Sequence, residues 1–356
     1  MEAQPRQARL RRAARARAFA FLATLAVGAA AILGLPLLLE ARDPYGEAVD
    51  GTAARWAAGL AVRDQVALKA AHALAEAPYD VGLFGNSRLV AVGAQHVAPF
   101  QGRLFNFAVG GTSFLQSVRM FRYLAERGHA PKIAIVSLDN FAIGYFGYRY
   151  WPDPIFDTPA VVLDAASAAR IGGGAFDAGL KGAWVAVAEV RAAWREFRRA
   201  WSADMIELRL LALTGSDATG PVYRSDGSVA EVDAVLPAQA GDVTAPAPEW
   251  PQHQRDLLIV ALQQLAAAAE AAGAAVIVYE SPVQSSYRSA LSPSQATEVE
   301  AVRSAFFAAC AGLPVTCLPA PELAEDPSAP RWSDCCHAPP ALLGRFIGDL
   351  LRQARG

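Results

Sequence analysis

Short apolar segments alternate with longer helical patterns along residues 81–352, and this alternation constrains the fold more than any other feature of the chain. The apolar segments have the composition of buried strands and span residues 81–84, 104–108, 133–138, 275–279 and 315–318. Helical patterns occupy residues 117–127, 254–272, 294–310 and 340–352. Strands that are separated by helices pair in parallel, so the pattern predicts an α/β domain with a parallel sheet. Ligands of such sheets bind beyond the carboxyl ends of the strands.

The N-terminus has the pattern of a membrane anchor. Residues 1–17 form a basic tail with six arginines, and the next 22 residues, 18–39, contain no charge. About 20 apolar residues cross the hydrocarbon layer as a helix, and basic flanks stay in the cytoplasm, so we expect the chain after Leu39 to lie outside that membrane. A cleaved signal peptide is the alternative, but its apolar region is usually about 7 to 15 residues long and ends in an Ala-x-Ala-like site.

The net charge argues against nucleic acid as a partner. The 356-residue chain holds 32 basic and 34 acidic residues, and removing six tail arginines and Glu2 leaves 26 against 33. The exported part therefore has a net charge near −7. Nucleic-acid-binding domains have the opposite balance, with basic patches on their surface.

All four cysteines lie near the C-terminus, at Cys310, Cys317, Cys335 and Cys336. Export to an oxidising compartment allows disulfides, and a bond between Cys310 and Cys317 would close a short loop. Adjacent Cys335 and Cys336 are poorly placed to pair with each other, so one of them could reach Cys310 or Cys317 instead, and the sequence leaves these connectivities open. A metal site at 334–337 is disfavoured, because four consecutive side chains do not converge easily on one tetrahedral ion. We expect no metal and no cofactor.

Three short segments together contain the parts of a serine-based catalytic site. Residues 85–88, Gly-Asn-Ser-Arg, follow the first predicted strand, residues 106–112 follow the second, and Asp334-Cys-Cys-His337 precedes the last helix. A serine hydroxyl attacks only when a base accepts its proton, and the His337 imidazole titrates in the right range. Asp334 would hold Nδ1 of that ring and leave Nε2 to face Ser87. Each segment alone also fits ordinary turn chemistry or a helix cap.

These segments resemble the sequence blocks of the SGNH, or GDSL-like, hydrolase superfamily over about residues 79–352. The first segment resembles the block in which Ser87 would be the nucleophile. The second is similar to the block in which Gly111 would give a backbone N–H to the oxyanion. Asp334 to His337 resembles the last block, in which the Asp orients the His and the His activates the serine. The resemblance implies a flavodoxin-like, three-layer α/β fold with a Ser87, His337 and Asp334 triad.

One block departs from the family pattern. It usually reads Gly-x-Asn-Asp, with the Asn side chain as an oxyanion donor, but Ser137-Leu-Asp-Asn140 places Asp139 at the Asn position. An ionised carboxylate only accepts hydrogen bonds, which is wrong for that role. Asn140 would substitute if the turn shifted by one residue. Otherwise the oxyanion hole has only the backbone donors of Ser87 and Gly111.

The remaining chain divides into a membrane-proximal helical linker at 40–78 and a domain at 79–356 with a long insertion at 144–250. Aromatic residues crowd where the insertion begins, and they would contact a sugar ring or an acyl group or, more simply, pack the insertion's own core. They are Phe141, Tyr145, Phe146, Tyr148, Tyr150, Trp151 and Phe156. Residues 184–201 have apolar positions at helical spacing opposite a basic face, which suits a helix packed on the domain or lying on a membrane surface. Asp226-Gly227 predicts a hairpin turn.

Members of this superfamily with one N-terminal span resemble the accessory proteins of acyl-transfer systems that modify cell-surface polymers, including alginate acetylation and D-alanylation of teichoic acids. The resemblance implies a single-pass protein of the bacterial inner membrane, with its domain in the periplasm or outside the cell. We expect acyl transfer, O-acetyl above all, to or from a polysaccharide through an acyl-serine, with an integral-membrane acyltransferase as a partner. The alternatives are a carbohydrate esterase, in which water resolves the acyl-enzyme, and a non-catalytic assembly factor, which the Asp139 departure suggests.

Overall fold

The computed structural model describes residues 23–24, 62–97, 100–142, 222–230, 252–284, 291–323 and 336–354. Residues 1–43 form a unit of their own, in which Ala23 and Thr24 are helical and exposed. Residues 44–356 form a second unit that contains all the other described residues. Among the described residues, no helix is both long and apolar enough to cross a membrane. The predicted anchor at 18–39 lies outside them apart from residues 23 and 24.

Five parallel strands form the central sheet of the second unit, so the predicted α/β class is confirmed. They are β1 Val81–Phe84, β2 Leu104–Asn106, β3 Ile133–Leu138, β6 Ala275–Glu280 and β7 Thr316–Leu318. Two more strands, β4 Val222–Tyr223 and β5 Val229–Ala230, form a separate antiparallel hairpin. The sheet order β2-β1-β3-β6-β7 matches the flavodoxin-like order, in which ligands bind where the strand order reverses, between β1 and β3.

Helices cover both faces of the sheet. One face packs against four helices, which are α1 Val62–Ala75, α2 Phe114–Glu126, α3 Gln252–Ala272 and α4 Pro293–Cys310. The other face packs against α5 Pro340–Gln353. Successive strand residues point to opposite faces, so Val136 and Val278 belong to the first core and Ile135 and Ile277 to the second. Burial on both faces explains why these strands read as continuous apolar runs in the sequence.

The first helix corrects the predicted domain boundary. Helix α1 lies inside the segment at 40–78 that the sequence marked as a linker. Val66, Ala70 and Ala73 of this helix are nonetheless buried in the core that α1 shares with α2 and α3. The α/β body therefore begins before residue 79, because an alanine-rich helix gives little sequence signal that one of its faces is buried.

The predicted hairpin turn is confirmed, and the structure gives one of the disulfide connectivities that the sequence left open. The N–H of Gly227 donates to the carbonyl of Arg224 over 2.9 Å and closes the predicted hairpin between β4 and β5. A disulfide joins Cys310 at the end of α4 to Cys317 in β7, with Cα atoms 6.3 Å apart. This bond decides among the connectivities that the sequence left open, and Cys336 is itself disulfide-bonded.

The insertion at 144–250 lies outside the described residues apart from 222–230. The basic helical pattern at 184–201 and six of the seven aromatics fall in that part, and their roles stay predictions. Phe141, the first of the aromatics, packs in the core against Phe306 with ring centroids 5.6 Å apart. This residue therefore supports the fold rather than a ligand pocket.

Candidate active site

β1 ends in a tight helical turn that carries Ser87. The carbonyl of Asn86 accepts the N–H groups of Leu89 and Val90, at 3.0 and 3.1 Å. The turn fits against β3 because Gly85 has no side chain: a Cβ at that position would lie 2.9 Å from the Cβ of Ser137. The local sequence thus places Ser87 at the carboxyl end of β1, where the sheet pattern predicts a ligand site.

Ser87 and His337 are in hydrogen-bond contact. The Oγ of Ser87 lies 2.8 Å from the Nε2 of His337, although 250 residues separate them in the chain. The backbone around the imidazole is held by burial, because Cys336 and Ala338 on either side of it are 6% and 7% exposed. The structure therefore brings together the predicted nucleophile and base. Asp334, the predicted third member of the triad, lies outside the described residues.

The turn after β2 lies against the Ser87 turn. The hydroxyl of Thr112 donates to the carbonyl of Gly85 over 2.9 Å and so joins the two turns. A Cβ built on Gly110 would lie 3.8 Å from the Cβ of Ser87, which is ordinary van der Waals distance. The predicted oxyanion donor Gly111 therefore lies on a loop in contact with the nucleophile turn.

Two backbone N–H groups in these turns are available to a ligand. Among the described residues, neither the N–H of Ser87 nor that of Gly111 has a protein acceptor. Gly111 has a φ of 77°, in the left-handed region that other residues rarely adopt. Two backbone donors beside a nucleophile are the usual means of stabilising an oxyanion.

Asn106 holds the loop that follows Ser87. Its Nδ2 donates to the carbonyls of Leu89 and Val92, each over 2.8 Å, and its Oδ1 accepts the N–H of Ala108 over 2.8 Å. The side chain is fully buried, so these bonds are shielded from water. The first residue of the second block is thus a structural support for the nucleophile turn.

A buried lysine supports the turn after β2. Lys69 of α1 is fully buried, and its Nζ donates to the carbonyls of Asn106, Ala108 and Gly227 at 2.6, 2.7 and 2.7 Å. The ammonium group therefore joins α1, the end of β2 and the hairpin at 222–230. This role could not be predicted from the sequence, because a lone lysine in a helical pattern is more often a surface residue.

Asp139 is buried behind the nucleophile turn, where its carboxyl group accepts hydrogen bonds. The Nδ2 of Asn86 donates to its Oδ1 over 2.5 Å, and the guanidinium of Arg88 forms an ion pair with the same oxygen. Burial raises the pKa of Asp139, whereas the charge of Arg88, the hydrogen bonds from Asn86 and Arg88 and the charge of His337 lower it. Asp139 is thus an acceptor, and it lies within electrostatic range of the base.

The side chain of Asn140 makes two hydrogen bonds in the loops that follow β3 and β6. Its Nδ2 donates to the carbonyl of Ser281 over 2.8 Å, and its Oδ1 accepts the N–H of Ala142 over 2.9 Å. The ladder between β3 and β6 continues to the N–H of Ser281, which donates to Leu138 over 2.7 Å. One of the two amide hydrogens of Asn140 is thus used in these loops, and its place in the oxyanion hole stays a prediction.

The site brings the predicted nucleophile Ser87 and the predicted base His337 together, with two backbone N–H groups, at the carboxyl end of β1. Within the described ranges, no cluster of three or more His, Cys, Asp or Glu side chains is placed to hold a metal ion. Sequence reasoning missed the roles of Asn86 and Arg88, although both flank Ser87 in the quoted motif. No family model, curated protein or solved structure matches this chain. The contacts around Ser87 are therefore the observations from which a function follows.

Proposed function

We propose that this protein is a serine-dependent acyl-transfer enzyme of the SGNH, or GDSL-like, hydrolase type. It moves an acyl group, acetyl above all, to or from a cell-surface polysaccharide through an acyl-serine at Ser87. Residues 18–39 anchor it in the bacterial inner membrane with the α/β body in the periplasm, where an integral-membrane acyltransferase is its partner. The 2.8 Å contact between Ser87 Oγ and His337 Nε2 carries this proposal.

That contact favours catalysis over ordinary turn chemistry. An ordinary Gly-Asn-Ser turn after a strand does not require a contact with a histidine. A residue that caps α5 does not require a contact with a serine 250 positions earlier. Two residues that are 250 positions apart meet beside two backbone N–H groups that have no acceptor among the described residues, at the strand ends where α/β sheets bind ligands. Nucleophile, base and oxyanion donors in one place define a site for acyl transfer.

The reaction follows from these groups. Ser87 Oγ attacks the acyl carbonyl carbon while its proton moves to His337 Nε2, and the carbonyl oxygen becomes an oxyanion held by the N–H groups of Ser87 and Gly111. The oxyanion collapses, the C–O bond to the donor breaks, and the departing alkoxide takes the proton from His337. The acceptor hydroxyl then gives its proton to His337 and attacks the acyl-serine. The bond from the acyl carbon to Ser87 Oγ breaks, and Oγ takes the proton back from His337. In this scheme Asp334 holds the His337 ring.

Labelling with a fluorophosphonate tests the nucleophile. The probe should phosphonylate Ser87 in the full-length protein, and the labelled peptide should contain residue 87. Labelling should disappear in Ser87→Ala and nearly disappear in His337→Ala. Ser304→Ala is the matched control, because Ser304 is an exposed serine on α4, and it should label as the wild type does. Equal labelling of the wild type and Ser87→Ala would overturn the proposal.

Water and a sugar hydroxyl compete to resolve the same acyl-serine, so transfer and hydrolysis are measured together. The full-length protein is given an activated acetyl ester with and without an acetyl-accepting oligosaccharide. Acetyl-oligosaccharide formed faster than free acetate supports transfer. Free acetate alone, at a rate that the oligosaccharide does not change, identifies a carbohydrate esterase instead.

Asp139 motivates the non-catalytic candidate, because an acceptor stands where the superfamily usually places a donor. A scaffold of an acyltransferase complex would need the fold but not the Ser87 hydroxyl. Cells that produce only Ser87→Ala would then modify their surface polymer at the wild-type level. Loss of the modification in those cells, with Ser304→Ala cells unaffected, supports the enzyme.

A further inference from the structure

We infer that Arg88 is a third oxyanion donor, a guanidinium that Asp139 holds beside Ser87 so that it bonds the acyl oxygen in the transition state. This inference rests on the proposed function and deepens it. It identifies what takes the place of the side-chain amide that is absent at position 139.

The contacts place the guanidinium in the cluster around the nucleophile. Arg88 follows Ser87 directly in the chain, and its guanidinium pairs with Asp139 Oδ1. The Asp139 carboxyl lies close enough to His337 for their charges to interact, and His337 Nε2 lies 2.8 Å from Ser87 Oγ. Nucleophile, base, carboxyl group and guanidinium therefore form one group at the carboxyl ends of β1 and β3.

The ion pair uses only part of the guanidinium. Arg88 has five N–H donors in a planar fork, and a structural pair with a carboxylate is frequently bidentate. Here one terminal nitrogen of Arg88 contacts one oxygen of Asp139. Among the described groups, Arg88 Nε and Asp139 Oδ2 are both buried without a hydrogen-bond partner. A pair built only for stability would use both, since each unpaired buried polar group is costly.

The unpaired side of the guanidinium is open to a ligand. The Arg88 side chain is 11% exposed, whereas that of Asp139 is fully buried. Its second terminal nitrogen has no acceptor in the part of the chain that the structure describes. Asp139 therefore holds one terminal nitrogen of Arg88, Nε is buried, and the second terminal nitrogen is the group left to bond a ligand.

An oxyanion is the ligand that this position serves. When Ser87 Oγ bonds to the acyl carbon, the carbonyl π electrons move to oxygen, and the new negative charge accepts an N–H of Arg88 with no proton transferred. Collapse returns the electrons to the carbonyl and releases Arg88. One N–H of the Asn140 amide already bonds Ser281, and an amide carries no charge. Arg88, which follows Ser87 in the chain, is always protonated and therefore supplies a charged donor.

Steady-state kinetics of the full-length protein with an activated acetyl ester test the inference. Arg88→Gln should lower kcat by on the order of a hundredfold with KM little changed, because the donor acts in the transition state. Arg88→Lys should be slower than wild type by roughly tenfold, because a lysine keeps the charge without the planar fork. Added guanidinium ion should restore part of the rate to Arg88→Ala, since it can occupy the vacated position. Arg127→Gln, at an exposed arginine, is the matched control and should keep the wild-type rate.

Four outcomes separate this inference from the proposed function. A wild type that turns over the ester, together with Arg88→Gln at the wild-type kcat, overturns the inference and leaves the acyl-serine proposal standing. A rise in KM at constant kcat also overturns it, because it assigns Arg88 to substrate binding alone. If Arg88→Gln does not fold, Arg88→Lys at the wild-type rate overturns it. A wild type that neither turns over the ester nor labels at Ser87 overturns the proposed function and the inference together.

Discussion

Thr112 Oγ1 lies 2.9 Å from the carbonyl oxygen of Gly85 and 2.7 Å from that of Val109, so its one hydrogen is shared between them and joins the turns that carry Ser87 and Gly111. The hydroxyl is buried, so water cannot replace this bond. The contact sets the distance between the proposed nucleophile Ser87 and the proposed oxyanion donor Gly111.

Thr112→Val should therefore affect both stability and activity. Valine keeps the shape of threonine but cannot donate, and the loss of a buried hydrogen bond costs about 1 to 3 kcal/mol of the free energy of unfolding. Fluorophosphonate labelling of Ser87 should slow as well, because the turns are no longer joined. Thr297→Val is the matched control: Thr297 is exposed and donates to Pro293 over 2.9 Å, so its loss should change stability by much less and leave labelling unchanged.

Gly111→Ala and Gly110→Ala form a pair that tests the turn after β2. Gly111 has a φ of 77°, and an L-residue with a side chain in the left-handed region costs roughly 1 to 2 kcal/mol. Relief of that strain would rotate the peptide and move the Gly111 N–H. We expect Gly111→Ala to lower the melting temperature and slow labelling, and Gly110→Ala, whose new Cβ would meet Ser87 Cβ at 3.8 Å, to do so much less. Equal effects of the two variants would contradict the role of the Gly111 backbone.

The sequence was sufficient to predict the strands of the sheet, because strands that are buried on both faces appear in it as continuous apolar runs. The limits of β1 and β3 follow from continuous apolar runs, and the hairpin follows from Asp226-Gly227. Ser87 and His337 could be paired because the order of the motifs resembles that of the SGNH blocks. Ser87 also follows β1, at the edge of the sheet where α/β proteins bind ligands.

Other features of the site depend on distant contacts that no local pattern encodes. The ion pair of Arg88 and Asp139 spans 51 positions, and the bond from Lys69 to Gly227 spans 158. Asn140 has the residue type of an oxyanion donor, but the register between β3 and β6 directs its amide to Ser281. Residue type predicts what a side chain can do, whereas only the packing decides which partner it has.

Removal of the Cys310 to Cys317 disulfide should weaken the edge of the sheet. The bond closes a loop with a sequence separation of 7 between α4 and β7, and loops of this size predict about 2 to 3 kcal/mol from chain entropy. The double variant Cys310→Ala, Cys317→Ala should lower the free energy of unfolding in urea by about that amount. Labelling of Ser87 should not change, because β7 is at the far edge from β1. A large loss of labelling in a folded double variant would show that this edge supports the site.

Lys69→Met should be strongly destabilising. Methionine fills the space of the lysine stem but leaves the carbonyls of Asn106, Ala108 and Gly227 without the donor that now bonds them. Each buried polar group left unpaired costs about 1 to 3 kcal/mol, so we expect a loss of at least about 2 kcal/mol in the free energy of unfolding. Lys132→Met is the matched control, because the Lys132 side chain is 76% exposed, and it should change stability by less than about 1 kcal/mol.

The same lysine predicts a dependence of stability on pH. Burial lowers the pKa of Lys69 from 10.5 to about 7, against the charge of Asp226, which raises it. Between these two values the unfolded chain binds a proton that the folded protein does not, so the free energy of unfolding rises with pH across that range, with a slope of up to about 1.4 kcal/mol per pH unit. Below about pH 7 both states are protonated, and this contribution no longer changes. Urea unfolding of wild type and Lys69→Met at about pH 6.5, 8 and 9.5 isolates the contribution of Lys69 to the free energy of unfolding, because the variant lacks the amine. The difference between the two proteins should grow in favour of wild type as the pH rises; a difference that shrinks would mean that the three carbonyls hold the ammonium charged more strongly than burial opposes it.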